Sequence, residues 1–178
     1  MKTKITKLMC AIPLLGLCAC ESTTKIDNST VGELDLTRYV GKWYEVARFD
    51  HSFERGLVGC TAEYSIKDDG TIRVINAGYK GSLDGKYKES EGKARRTDES
   101  RPGKLEVAFF LSFYSEYNVM ELADDYRYAL VGSRTSNYLW ILSRTPQLTP
   151  EDKAFLLKRA AERGYNIDQL IWVEQVFR

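Results

Sequence analysis

The side chains of this chain able to do covalent chemistry are few. Its cysteines are Cys10, Cys18, Cys20 and Cys60, and its one histidine is His51. Only Cys60 falls in a segment that reads as folded sheet. A thiolate there, with His51 as base, would be a nucleophile; that role needs mutual hydrogen-bond reach and oxyanion donors, which spacing does not supply. A small apolar cysteine in a sheet wall is the commoner case. One histidine and one free cysteine make no metal-ligand cluster. Gly81-Ser82-Leu83-Asp84-Gly85 reads as a turn, not a nucleophile elbow. We therefore expect no enzyme, no metal and no cofactor, with a Cys60 enzyme kept as an alternative.

The elements that would position these residues are mostly strands. Alternating or apolar runs at Lys42–Phe49, Thr61–Lys67, Thr71–Tyr79, Tyr87–Arg95, Lys104–Leu111, Tyr117–Ala123, Tyr126–Gly132 and Tyr138–Ser143 are separated by turn-forming pairs such as Asp69-Gly70, Asp84-Gly85 and Pro102-Gly103. Eight consecutive strands with short links close most economically as an all-β, antiparallel up-and-down barrel, which also removes exposed sheet edges. One helix follows. Thr149 suits its N-cap, Pro150 its first position and Gly164 its C-terminal stop. Ala154, Leu156, Leu157, Ala160 and Ala161 form an apolar face expected to lie on the outside of the barrel. Leu170–Val173 could add a short last strand.

The N-terminus reads as an export signal over residues 1–19. Lys2, Lys4 and Lys7 precede an apolar run, Leu8–Ala19, that is short for a membrane span and contains Pro13. It ends in Leu17-Cys18-Ala19-Cys20, which resembles the lipobox of bacterial lipoproteins and implies Cys20 as the lipid attachment site. Residues 20–34 are Ser/Thr-rich and read as a lipidated tether, and the folded domain is expected over 35–178. Cys60 then has no disulfide partner. From Cys20 on, 23 basic residues face 25 acidic ones, a net charge of −2. No nucleic-acid partner is expected of such a surface.

Ordered blocks along the chain carry a family resemblance. Asp35–Phe49, with Gly41-Lys42-Trp43 at its centre, is similar to the first signature of the lipocalins. After it come Thr61–Ser65, Val74-Ile75-Asn76, Glu91–Ala94, Tyr117-Asn118-Val119, Tyr126–Val131 and Tyr138–Pro146. In order and spacing these resemble the bacterial lipocalins and the apolipoprotein D group. The resemblance implies a barrel corked by Trp43, with Arg144 laid across its indole and Gly41 allowing close chain approach. It also implies a small hydrophobic ligand, a fatty acid or lysophospholipid, and a place in the cell envelope at the outer membrane.

Strand alternation says which side chains face such a lumen. Cys60, Ala62, Tyr64 and Ile66 share the apolar face of the second strand; Val107 and Phe109 point in, as do Tyr138, Trp140 and Leu142. The resemblance adds Asn76 and Tyr117 as cavity residues. Glu45 shares the face of Trp43 near the cavity base, and Tyr128 is placed in the wall. The expected ligand-binding set is thus Glu45, Tyr64, Asn76, Val107, Phe109, Tyr117, Tyr128 and Trp140. Loops His51–Gly59 and Phe110–Tyr114 would make an apolar rim, leaving a ligand-free interaction platform or a homodimer as the third reading.

Overall fold

The computed structural model describes residues 25–109 and 113–176. The export signal and Cys20 lie outside the described residues. A four-residue helix, α1 (Leu36–Tyr39), precedes strands β1 (Gly41–Arg48), β2 (Leu57–Ile66), β3 (Ile72–Lys80), β4 (Tyr87–Arg96), β5 (Lys104–Ala108), β6 (Ser115–Leu122), β7 (Tyr128–Gly132) and β8 (Leu139–Ser143). Each pairs antiparallel with the next, and β1 pairs with both β2 and β8, closing an eight-stranded barrel. Helix α2 (Pro150–Glu162) follows, then a 3-10 turn (Ile167–Gln169) and the two-residue β9 (Ile171–Trp172).

Strand β9 covers a gap in the wall. Strand β1 meets β2 only through Gly41–Tyr44, and β9 takes the same edge at Ala47 and Arg48. Gln175 then spans the opening, its side-chain amide Nε2 donating to Glu45 O at 2.7 Å and to Cys60 O at 3.0 Å. Two buried carbonyls that the splayed strands leave unpaired are thereby satisfied.

One end of the barrel is shut by a compact assembly. Trp43 is fully buried and donates from Nε1 to Tyr39 O at 2.7 Å. The Arg144 guanidinium lies 3.8 Å from the indole centroid. Its nitrogens also donate to the carbonyls of Arg38, Tyr39, Val40 and Lys42 at 2.8–3.0 Å. These include carbonyls at the end of α1, which a helix cannot satisfy internally. Gly41 has φ +91° with Arg144 Nη1 beside it, a backbone conformation that favours glycine.

Three expectations change. Residues 26–34 do not hang free as a tether: Asp27 N donates to Arg163 O, Val31 N to Val119 O, and Leu34 is buried. This strap is held by hydrogen bonds and by Ile26, Val31 and Leu34 packing on the core, which its mostly polar composition gives little reason to expect. The buried stripe of α2 is Asp152, Leu156 and Ala160, while Ala154 and Ala161 are exposed. Asp152 turns inward because Arg127 forks onto it at 3.0 and 2.7 Å. Finally, a short helix, α1, precedes the first strand; Asp35 starts it, accepting from Thr37 N.

Arg144→Ala is expected to remove the stack and the carbonyl contacts together, lowering unfolding free energy by on the order of 2–4 kcal/mol in urea titrations. Arg144→Lys should recover only part, because an ammonium cannot lie flat and fork.

Candidate functional site: a hollow barrel with a polar wall

The barrel encloses a cavity of about 1090 Å³ that opens at the end opposite Trp43. Small and medium side chains leave this space: Ala62 on β2, Val74 on β3, Ala94 on β4 and Val131 on β7 all face it. Of the expected set, Glu45, Tyr64, Asn76, Val107, Phe109, Tyr117 and Trp140 line the cavity, with Cys60, Ala62, Tyr138 and Leu142. Phe109 lies beyond the end of β5, partly exposed toward the mouth.

Tyr128 does not line the cavity. It packs outside, its ring 6.0 Å from Phe155 of α2 and 5.0 Å from the Arg127 guanidinium. All five residues of β7 are buried, because α2 covers their outer side; apolar character there cannot tell inside from outside. Ile66 is exposed where β2 runs past the closed end. Around the mouth, Phe53 and Phe113 are 60% and 75% exposed, but His51 and Glu54 are buried. Residues 110–112 of the expected rim lie outside the described residues.

A buried polar cluster that the strand pattern did not reveal occupies one wall. A register shift in β1 between Glu45 and Ala47 changes the alternation, so that Arg48 as well as Glu45 joins the cluster. Arg48 Nη1 donates to Glu45 Oε1 at 2.7 Å, and Nη2 to the carbonyls of Glu54 and Leu57 at 2.9 and 3.1 Å. The arginine therefore fastens the β1–β2 loop to the barrel. Trp140 Nε1 donates to Glu54 Oε2 at 3.2 Å, tying the same loop to β8. Glu45, expected beside Trp43 near the cavity base, is one of two carboxyls facing a single arginine. Burial, then repulsion by Glu54, push its carboxyl well above the usual range; burial raises Glu54 as well.

These surroundings work against nucleophilic chemistry. Burial, followed by the nearby Glu45, pushes the Cys60 thiol up to about 12, although Arg48 Nη1 lies 3.7 Å from its sulfur. His51 stacks on Phe53 at 4.0 Å and packs near Trp140 and Tyr138. Burial and then Arg48 lower its pKa to about 4, so the ring is neutral and a weak base. No cluster of potential metal ligands occurs among the described residues.

A closed eight-stranded barrel, corked by an indole under an arginine and hollow above it, defines a lipocalin. The lipocalin-like domain model matches residues 34–175, and the chain belongs to that family. It is 48% identical to the outer membrane lipoprotein Blc of Escherichia coli (strain K12) over 158 residues, 88% of this chain and 89% of that protein. Blc of Vibrio cholerae is 43% identical, with 94% and 96% covered. Apolipoprotein D of Mus musculus is 34% identical, with 96% of each chain covered. Among solved structures, insecticyanin of Manduca sexta shares the fold with a TM-score of 0.69 at 20% identity, over 84% of this chain and 85% of that one.

The cluster carries a pH signature. Unfolded, His51 takes up a proton near pH 6.5; folded, only near 4. Between those values the unfolded chain binds more protons, so this group's contribution to stability is lost as pH falls. Glu45 and Glu54, raised on folding, act in the opposite sense. His51→Phe, which keeps the ring contacts with Phe53, Tyr138 and Trp140 and loses the 3.3 Å approach of Nε2 to Glu54 Oε2, should therefore shrink the drop in Tm between pH 6.5 and 4. An undiminished drop would assign it to other groups.

Proposed function

We propose that this protein is a lipid-anchored carrier of the outer membrane that holds one fatty acid or lysophospholipid in its barrel, without chemical change. The observation that carries this reading is the cavity: about 1090 Å³, lined toward Trp43 by apolar side chains and three tyrosines, and bordered at its mouth by Arg55, Lys80, Lys88 and Arg134 interspersed with Glu89 and Glu116. An alkyl tail burying about 14 methylenes at about 0.8 kcal/mol each gains about 11 kcal/mol before ordering and association costs. Lys80, Lys88 and Arg134 are the mouth cations that would meet a carboxylate or phosphate head. Blc relatives named as outer membrane lipoproteins support the same reading, as does their family. Among the described residues no helix is long and apolar enough to cross a membrane. Cys20 is the residue we assign to the anchor.

The path of the strap suggests how the barrel is held. Asn28 Nδ2 reaches Ser133 O, at 3.5 Å, on the mouth side, whereas Asp35 N donates to Tyr126 Oη beside the closed end. The chain thus enters at the mouth. Cys20 precedes Ile26 by six residues, at most about 20 Å of chain. An anchor there turns the mouth, with its exposed Phe53 and Phe113, toward the bilayer. A bimane label at Phe113→Cys should be quenched by brominated lipids in anchored protein, and a label at Asp68→Cys, in the β2–β3 turn, should not. Equal quenching at both sites would reject this orientation.

The carrier reading itself is tested by filling the lumen. Ala62→Trp should weaken binding of a fluorescent fatty acid by about tenfold or more while the protein stays folded. Phe155→Ala, on the outer surface of α2, should leave binding unchanged. Undiminished binding to Ala62→Trp would place the ligand elsewhere.

A further inference from the structure

Three phenols meet near the closed end of the lumen. Tyr39 Oη lies 2.7 Å from Tyr117 Oη, which lies 3.0 Å from Tyr64 Oη. All three residues line the cavity. Burial pushes each phenol above its ordinary range, so each oxygen keeps its proton. Two hydrogen bonds consume two of the three protons. Whichever way the chain is oriented, one O–H is left over. Among the described residues no other hydrogen-bond partner meets these oxygens. Their surroundings are Leu36, Val40, Ile72, Val74 and Leu105. A buried donor without an acceptor costs about 1–3 kcal/mol.

We infer that the cavity floor is a subsite for a neutral oxygen at the buried end of the ligand: a ketone, ether or hydroxyl borne near the tail of an acyl chain. A carboxylate does not suit it. The nearest guanidinium, Arg144, stacks on Trp43 and directs its donors to backbone carbonyls. A charged group among the phenols would be desolvated against one neutral donor. The charged head therefore belongs at the open mouth, where Lys80, Lys88 and Arg134 stand, and the tail supplies the acceptor. A plain alkyl tail leaves the donor unmet or must lodge beside a water molecule. An oxygenated long-chain acid, or a lysolipid carrying one, satisfies both ends. This assignment rests on the carrier reading and narrows it to a substrate class.

The test compares hexadecanoic acid with its ω-hydroxylated form, each displacing a fluorescent fatty acid from the full chain. Burying an extra hydroxyl in an apolar pocket would ordinarily weaken binding. Here the ω-hydroxy acid should bind about two- to tenfold more tightly than the plain acid. The preference should reverse in the triple variant Tyr39→Phe, Tyr64→Phe, Tyr117→Phe. Should that variant not fold, a second readout uses the wild-type chain alone: a fatty acid bearing a carbon-13 ketone next to its methyl end. Its carbonyl stretch should move to lower wavenumber than in alkane when bound. Tighter binding of the plain acid by the wild-type chain, or a ketone stretch as in alkane, would overturn the subsite while leaving the carrier intact. Binding of no acid of any kind would remove the carrier reading and the subsite with it.

Discussion

A guanidinium pressed on an indole gives this barrel an end. An up-and-down sheet has no intrinsic floor, and one of its openings must be closed if the lumen is to hold anything apolar out of water. Trp43 supplies the bulk and Arg144 holds it there, at 3.8 Å, while gathering the carbonyls of α1 and of Lys42. The interaction works in both directions. The ring shields the arginine, and the arginine spares the short helix a row of unsatisfied carbonyls. Gly41 is where the chain turns between them.

Everything above that floor follows from keeping it fixed. The wall can afford small residues such as Ala62 and Ala94 because the barrel is stabilised elsewhere: by the floor, and by the packing of α2 against β7 through Leu156, Ala160 and Leu130. The second constraint lies near the mouth. Arg48 is buried with Glu45 and Glu54 and fastens the β1–β2 loop through two of its carbonyls. Such a buried ionic group is a poor source of net stability, but it fixes one conformation for the loop that borders the entrance. Gln175 completes that region, closing the gap where β1 and β2 part. The hollow is thus framed by specific polar contacts at its floor and beside its mouth, with mostly apolar side chains such as Ala62, Val74, Ala94 and Val131 between them.

Much of this was legible in the sequence, for identifiable reasons. Strand order followed from turn residues, and the face carrying Cys60, Ala62 and Tyr64 followed from alternation along β2. Alternation failed where its assumptions fail. In β7 both faces are apolar, since one meets the lumen and the other meets α2, so Tyr128 could be placed on either. In β1 the register shift changes the parity after Glu45, which hid Arg48. The strap at residues 26–34 reads as a tether because its apolar anchors on the core, Ile26, Val31 and Leu34, follow neither a helical nor a strand period, and its other contacts are backbone hydrogen bonds and Arg163. Gln175 and Glu54 had no signal: their partners are carbonyls and side chains distant in sequence.

The central claim is that the lumen is empty of protein and sized for one lipid. Native mass spectrometry of the full chain, released gently from the membranes in which it is made, tests it most directly. The account predicts a dominant species carrying one lipid of defined mass per chain, dissociating at modest collision energy. A dominant species at the bare protein mass that also takes up no added fatty acid would contradict it.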